Sequence, residues 1–186
     1  DELLKKLKLL DPDFLLTFAY GQILSEKVLQ IPKIKALNVH TSLLPKYRGA
    51  SPIQAALLNG DEETGITLIE MVKKMDAGPI YEQEHILTNS MNAQELHDAL
   101  AILAAEKVPE WIRGFDSLKP YEQSEASLSF CSKIKKSDGF LYFTLNTDQI
   151  LKRYRAYYPW PGLWTYFGDT RVKILNLNSS EMELNP

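Results

Sequence analysis

The spacing of apolar residues predicts two helices and two strands in the first 40 residues. Leucines recur at helical spacing over 1–10, and Asp11-Pro12 ends that pattern. The apolar run 14–18 is typical of a buried parallel strand. A short helix over 25–30 and a second strand over 36–40 follow. The chain therefore begins with helices and strands in alternation.

The same alternation continues to residue 87. Ser51-Pro52 supplies an N-cap and a first-turn proline for a helix that ends at Gly60. Residues 64–71 are rich in β-branched and apolar side chains, and residues 79–87 alternate roughly between apolar and polar. Both segments are therefore predicted to be strands.

A long helical pattern follows, and Asn92 with Glu95 resembles the capping box that opens a helix. Pro109 lies inside this pattern, which predicts a kink or a split there. Strands that alternate with helices indicate an α/β fold with an open sheet of parallel strands.

The character of the sequence changes after residue 118. Residues 119–127 are mostly polar, and we predict that they link a first domain, 1–118, to a second unit, 128–186. Short runs with strand character replace the alternation of strands and helices in the second unit, which is therefore predicted to be rich in β-structure.

Four short elements are predicted in the second unit. The segments 128–133 and 140–144 have strand character, and 148–157 has helical periodicity. Gly168-Asp169 is typical of the turn of a β-hairpin.

Composition narrows the class of protein. The chain has 186 residues, is 45% hydrophobic, carries a net charge of −3 and has a single cysteine, Cys131. A negative net charge gives no global field that recruits nucleic acid, so an RNA contact requires a local basic patch. One cysteine allows no internal disulfide and favours a reducing compartment. Because the sequence has neither an apolar run of about 20 residues nor a signal-peptide pattern, we expect a soluble cytoplasmic protein with no membrane contact.

Candidate chemistry begins with Asn38 and His40 at the end of the second predicted strand. Two residues apart on a strand, their side chains share one face of the sheet. Ligands bind at the carboxyl ends of parallel strands in open α/β sheets. An amide and an imidazole directed at one point suit an oxyanion that develops on a carbonyl carbon, where such a donor contributes about 10²- to 10³-fold in rate. A capping asparagine and a structural histidine are the plain alternative.

A longer motif favours the catalytic alternative. The string Asn38-Val39-His40-Thr41-Ser42-Leu43-Leu44-Pro45, with Gly49 beyond it, resembles the signature of the folate-dependent formyltransferase family. Met75-Asp76-Ala77-Gly78-Pro79-Ile80 is similar to the Asp-x-Gly loop of that family, and residues 18–24 are similar to the wall of its pterin pocket. The resemblance implies that Asp76 is a catalytic carboxylate, which orients His40 and handles the proton of an attacking amine.

The resemblance also implies a fold and a donor. The fold is a Rossmann-like α/β sheet followed by the start of a small, OB-like β-barrel, and a further βαβ half is expected upstream of Asp1. The donor is 10-formyltetrahydrofolate, with no metal. The implied catalytic residues are Asn38, His40 and Asp76. The residues implied for binding the donor are Tyr20, Gln22, Ile23, Leu24, Ser42, Leu43, Leu44 and Pro45.

The acceptor depends on the branch of the family. Residues 158–162, Tyr-Pro-Trp-Pro-Gly, and residues 50–54, Ala-Ser-Pro-Ile-Gln, are similar to the branch whose acceptor is initiator methionyl-tRNA, which acts in translation initiation. We expect a monomer. Three alternatives stay open: an amino-sugar nucleotide as acceptor, release of formate to water, and a fragment that binds folate or RNA without turnover.

The remaining candidates have simpler interpretations. His85 and His97 have no cysteine or carboxylate at ligand spacing, so no metal site is predicted. Cys131 is expected to be a small buried side chain. Arg48 is predicted to be exposed, or to steer an anionic folate tail or a terminal nucleotide. Two basic clusters are expected to be solvated, or to contact phosphates if the acceptor is a tRNA. They are Lys133, Lys135 and Lys136, and Lys152, Arg153 and Arg155.

Overall fold

The computed structural model describes residues 2–177, so that Asp1 and the end of the second unit, 178–186, lie outside the described residues. The helices are α1 (Glu2–Leu9), α2 (Glu26–Leu29), α3 (Pro52–Asn59), α4 (Ala93–Arg113) and α5 (Thr147–Ala156). The strands are β1 (Phe14–Phe18), β2 (Lys35–His40), β3 (Arg48–Gly49), β4 (Glu63–Glu70), β5 (Ile80–Leu87), β6 (Phe130–Cys131), β7 (Leu163–Phe167) and β8 (Thr170–Ile174). Among the helices of residues 2–177, none combines the length and the apolar composition that a membrane span requires.

The main sheet has the strand order β1-β2-β4-β5. β1 and β2 are parallel, whereas β4 runs antiparallel to both β2 and β5. The predicted α/β class is confirmed, but the sheet is mixed rather than parallel throughout. The apolar pattern of 64–71 predicts a buried strand and carries no information about its direction, which is set by how α3 returns the chain to the sheet.

The helices α3 and α4 begin where the sequence predicts. Ser51 is the N-cap of α3, Pro52 is its first residue, and Gly60 ends it with φ 73°. The Asn92 side chain accepts from two backbone N–H groups of α4, and Glu95 bonds back to the N-cap, which confirms the capping box. α4 continues through Pro109, so the predicted split is wrong.

The physical reason for the continuity of α4 lies in its packing. Val108 and Trp111, on either side of Pro109, are both buried and belong to the main apolar cluster. Packing of the apolar face supplies most of the stability of a helix in a protein, so that one missing backbone hydrogen bond does not end it.

One apolar cluster runs through both predicted units. Leu37 and Val39 of β2 belong to it with Leu96 and Leu100 of α4, and these four side chains are 3% exposed or less. Ala156 and Tyr157, at the end of α5, belong to the same cluster. The second unit therefore shares a core with the sheet that carries the candidate residues.

The second unit has less strand than its sequence predicts. The helix over 148–157 and the hairpin at Gly168-Asp169 are confirmed as α5 and β7-β8. Residues 140–144 do not form a strand, since their one ladder contact is an isolated bridge between Phe140 and Trp164. Of 128–133 only β6 is a strand, and it pairs with β3 of the first domain. Apolar alternation over five or six residues cannot identify a partner strand, and this explains both differences.

Candidate functional site

Asn38 is oriented by a neighbouring strand. Thr17 of β1 lies opposite Asn38 of β2, and its hydroxyl donates to Asn38 Oδ1 over 2.8 Å. Because the oxygen of the amide faces Thr17, the amide nitrogen Nδ2 faces away from it. Asn38 is partly exposed, so it presents a donor with a defined direction.

His40 is buried on the same face of β2, at 6% exposure. Its Nε2 lies 2.9 Å from the carbonyl oxygen of Tyr47. A carbonyl oxygen only accepts, so Nε2 carries a proton and donates it there. The other ring nitrogen, Nδ1, lies 3.7 Å from Oδ2 of Asp76. That separation exceeds the length of a hydrogen bond and leaves Nδ1 available to a further partner.

Asp76 reaches His40 from the loop between β4 and β5. Its Oδ2 accepts from the backbone N–H of Gly49 over 2.8 Å, and the residue adopts φ 51°. The carboxylate thus contacts two elements that lie far from it along the chain. Asp76 therefore lies beside His40, and Asn38 lies on the same face of β2 two residues earlier, although the loop that carries Asp76 joins antiparallel strands.

The loop after β2 is held on the sheet by polar side chains of β4 and β5. The Thr67 hydroxyl donates to the carbonyl of Ser42 and accepts from the N–H of Leu44. The Gln83 amide donates to the Leu44 carbonyl over 3.0 Å and to the Thr67 hydroxyl over 2.9 Å. Thr67 is fully buried. These bonds fix the backbone that follows His40.

The residues predicted to contact the donor fall into two groups. Ser42 and Leu44 are buried, and the Ser42 hydroxyl donates to the carbonyl of Lys46 within the same loop. The partly or fully exposed members form the surface that remains for a ligand. They are Leu43, Pro45 and Leu24, which are half-buried, and Tyr20, Gln22 and Ile23, which are exposed.

Backbone conformations of positive φ concentrate beside these side chains. Tyr47 has φ 62°, and Gly49 has φ 122°. A Cβ atom at position 49 would overlap the carbonyl oxygen of Cys131, so only glycine fits there. Tyr47 and Asp76 adopt a conformation that costs a non-glycine residue about 1–3 kcal/mol and occurs preferentially at functional sites.

Arg48 and Gln123 form a hydrogen-bonded pair beside the site, and the sequence did not indicate this pairing. Arg48 is 6% exposed, which corrects the expectation of an exposed loop arginine. Its Nε and Nη2 both donate to Oε1 of Gln123, over 2.9 and 2.7 Å. Gln123 comes from the predicted linker, where polar composition alone gave no signal of an ordered contact.

Two titratable side chains border the site. Burial and the neighbouring Asp61 carboxylate, which accepts from its hydroxyl, raise the pKa of Tyr47 to about 12. Burial also raises the pKa of the Cys131 thiol, and the negative charge of Asp76 acts in the same direction. Cys131 is half-buried, and its Sγ accepts from the N–H of Ser51. The thiol is therefore a packed, protonated group at neutral pH rather than a nucleophile.

Other candidate residues lie elsewhere. His85 and His97 are exposed, on β5 and α4. Within residues 2–177, the His, Cys, Asp and Glu side chains form no group of three that could hold a metal ion. Two surface cavities of about 340 and 530 Å³ lie near the ends of α3 and α5, and Asn38, His40 and Asp76 line neither of them.

The arrangement defines a class of chemistry. Asn38 and His40 lie on one face of β2, and Asp76 lies beside His40, so an amide donor, an imidazole and a carboxylate are available at this end of the strand to stabilise charge on a carbonyl oxygen and to accept a proton. Residues 1–112 match the family model described as formyl transferase, and residues 133–185 match the formyl transferase C-terminal domain. The chain belongs to the formyl transferase family.

Known relatives agree with this membership. The chain is 40% identical over 172 residues to the methionyl-tRNA formyltransferase of Campylobacter curvus, which covers 92% of this chain and 56% of that protein. Matches of this kind to curated relatives show that the chain spans between half and two thirds of their length.

Solved structures share the fold at low sequence identity. Methionyl-tRNA formyltransferase from Clostridium thermocellum has a TM-score of 0.76 at 20% identity, over 91% of this chain and 74% of that one. HypX from Aquifex aeolicus, in complex with tetrahydrofolic acid, has a TM-score of 0.79 at 19% identity, over 93% of this chain and 30% of that one. These likenesses support the fold described above.

Proposed function

We propose that the protein carrying this chain transfers the formyl group of 10-formyltetrahydrofolate to the amino group of methionine on initiator tRNA. The observation that carries the proposal is the pairing of His40 with Asp76, on the face of β2 that Asn38 shares, in a member of the formyl transferase family. The names of the curated relatives support methionyl-tRNA as the acceptor, and the tetrahydrofolate complex of a structural neighbour supports a folate donor.

The geometry supports a division of roles in the transfer. The amine attacks the formyl carbon, and negative charge develops on the formyl oxygen. The bond between that carbon and N10 of the donor then breaks, N10 takes up a proton, and tetrahydrofolate leaves. Asn38 Nδ2, directed by Thr17, is placed to donate to that oxygen. His40, in its doubly protonated form, donates to the same oxygen through Nδ1–H, because Nε2–H already donates to the Tyr47 carbonyl. Asp76, 3.7 Å from Nδ1, accepts the proton that the amine loses.

The donor would lie against the exposed side chains at the ends of β1 and β2. Tyr20 and Ile23 are exposed apolar groups, at 50% and 86%, that a planar ring system can cover. Leu43 and Pro45 form the other side, while Ser42 and Leu44 act through the backbone they hold in place. No metal enters this scheme.

One basic cluster suits the acceptor better than the other. Lys133, Lys135 and Lys136 are exposed and can meet phosphates. In the second cluster, Lys152 pairs with Asp148, and Arg153 and Arg155 donate to backbone carbonyls. We further propose that the protein is monomeric and cytoplasmic. The single cysteine, Cys131, fits a reducing compartment.

Formyl transfer assays with labelled 10-formyltetrahydrofolate test this proposal on the intact protein. Initiator methionyl-tRNA, an amino-sugar nucleotide and buffer alone are compared as acceptors. We expect label in the methionyl-tRNA. Label only in the amino sugar would assign a sugar formyltransferase, and formate release in buffer alone would assign a hydrolase. Folate binding without transfer to any acceptor would leave a binding module.

A further inference from the structure

The segment that connects the two units contacts both loops of the candidate site. We call residues 121–131 the connecting segment. Tyr121 exchanges backbone hydrogen bonds with Ile80, directly after the loop that carries Asp76. Ser129 donates its N–H to the Pro45 carbonyl and accepts the N–H of Arg48 at its own carbonyl. The two loops are therefore joined to one another through residues that lie outside the first family match.

Gln123 lies at the centre of the connecting segment and uses its whole amide. Its oxygen accepts two hydrogen bonds from the buried guanidinium of Arg48. Its nitrogen donates to the carbonyl oxygens of Asp76 and Gly78, each over 2.8 Å. A primary amide offers two N–H donors and two acceptor lone pairs, and all four are occupied here.

These contacts hold Asp76 at both ends. Its carbonyl is fixed by Gln123, and its carboxylate accepts from the N–H of Gly49, the residue after Arg48. Asp76 also has φ 51°, a conformation that non-glycine residues adopt only when surrounding contacts impose it. The hydrogen bonds from Gln123 are contacts of that kind.

We propose that Gln123 is a positioning residue for the reaction: its amide, anchored on Arg48, holds the backbone of Asp76 so that the carboxylate faces His40. The inference rests on the proposed function, because it assigns Gln123 a role through Asp76. If Gln123 only linked the two units, its substitution would lower the stability of the protein without displacing the Asp76 carboxylate. The two roles predict different results for the Gly49 N–H, because this group donates to the Asp76 carboxylate.

Gln123→Glu separates the two sides of the amide. The glutamate retains acceptors for Arg48 and lacks the N–H groups that bond Asp76 and Gly78. Ser124→Asp is the matched control, since it adds the same charge at an exposed neighbour whose oxygen caps the N–H of Ala126. Asp76→Asn is measured alongside both variants.

The first measurement is the amide proton of Gly49 in the intact, 15N-glycine-labelled protein. This N–H donates to Asp76 Oδ2, so its chemical shift and exchange rate report on the carboxylate directly. We expect Gln123→Glu to move the resonance upfield and to speed its exchange. The Gly162 amide, which bonds to the Tyr157 carbonyl, should not move. Ser124→Asp should leave both resonances in place.

The second measurement is steady-state formyl transfer. Displacement of a catalytic group by about 1 Å can reduce the rate on the order of 100-fold, so we expect Gln123→Glu to lower kcat by roughly 10- to 100-fold. KM for the donor should change by less than about threefold, because Asp76 acts in the reaction step rather than in binding.

Several results would overturn the inference. A Gly49 resonance that stays in place in Gln123→Glu, or that moves as far in Ser124→Asp, removes the positioning role. An inactive Asp76→Asn beside a fully active Gln123→Glu does so as well. If both variants are active while the resonance moves, Gln123 positions a carboxylate that is not catalytic, and the proposed role of Asp76 fails instead. Should Gln123→Glu not fold, Arg48→Lys, which removes the guanidinium anchor, must move the same resonance in the same direction.

Discussion

The two faces of β2 are built in different ways. On one face, Leu37 and Val39 enter an apolar cluster that α4 covers, and local sequence patterns account for both elements. On the other face, Asn38 and His40 depend on Thr17, Tyr47 and Asp76, which come from three other segments. Different contacts therefore support the apolar packing and the candidate site on a single strand, so substitutions on the two faces should divide differently between stability and activity.

The largest effect is expected for His40→Ala, which should act mainly on the rate of formyl transfer. Loss of the imidazole removes a donor to the developing oxyanion, so kcat should fall by about 10²- to 10³-fold. The Tyr47 carbonyl also loses the imidazole and keeps only the weaker Cys131 thiol as a donor, which costs about 0.5–1.5 kcal/mol of stability. Stopped-assay kinetics and folate binding are measured on the same preparation. Unchanged turnover would remove His40 from the reaction, and lost folate binding would assign it to the donor pocket.

Leu100→Ala tests the apolar face. Leu100 is fully buried in the cluster that contains Leu37, so its truncation should lower the free energy of unfolding by about 3 kcal/mol. Transfer activity per folded molecule should stay the same. Ile102→Ala, on the exposed side of the same helix at 62%, is the control and should change stability by less than about 0.5 kcal/mol. Urea denaturation gives both values. A fall in kcat for Leu100→Ala would mean that the two faces are coupled.

Alkaline pH provides a smaller perturbation of the apolar face. Burial and the Glu70 carboxylate raise the pKa of Tyr81 from its usual value near 10 to about 12. Between these two values the unfolded chain has lost this proton and the folded chain retains it, so stability falls as the pH rises. The loss is at most about 2–3 kcal/mol for this tyrosine. It is absent below pH 10, where both states are protonated.

Tyr81→Phe should therefore flatten the decline in the free energy of unfolding between pH 10 and 12. Exposed Tyr20 supplies the control, because Tyr20→Phe should leave the decline as it is in the parent protein. Denaturation curves at fixed pH values across this window measure the difference. A decline of the same slope in Tyr81→Phe would show that another group is responsible, such as Tyr47, whose pKa is also raised to about 12.

The smallest effect is expected for Thr17→Val on the polar face. The substitution retains the shape of the side chain and removes the hydroxyl that directs the Asn38 amide. We expect kcat to fall by about 10-fold, equivalent to about 1.4 kcal/mol, with little change in unfolding. Thr17→Ser retains the hydroxyl and should restore most of the activity. Equal losses in both variants would point to packing rather than to the hydrogen bond.

Sequence patterns predicted the apolar face better than the polar one. The strands at 14–18 and 36–40 and the capping box at Asn92 depend on residues close together in the chain, so that local spacing identifies them. The direction of β4 depends on how α3 returns the chain to the sheet, and no periodicity encodes that. Residues 140–144 had strand character and found no partner strand in the described part of the chain.

In the candidate site too, local motifs predict some of the residues and leave others unpredicted. Asn38, His40 and Asp76 belong to recognisable motifs, and Asp76 lies beside His40 on the face of β2 that Asn38 shares. Thr17, the Tyr47 carbonyl and Gln123 complete their surroundings, and each acts through a contact made by folding. Gln123 is 75 residues from Arg48 and lies in a stretch whose composition is typical of a loop. A single sequence gives no means to pair such distant positions.

The connecting segment has a consequence for how the two halves can be recombined. A gene cut at residue 112, where the first family match ends, would encode both loops of the candidate site without the residues that join them. Chimeras between relatives should therefore exchange residues 1–131 as one module. The structural unit that supports the candidate site is therefore longer than the segment 1–112 that the first family model matches.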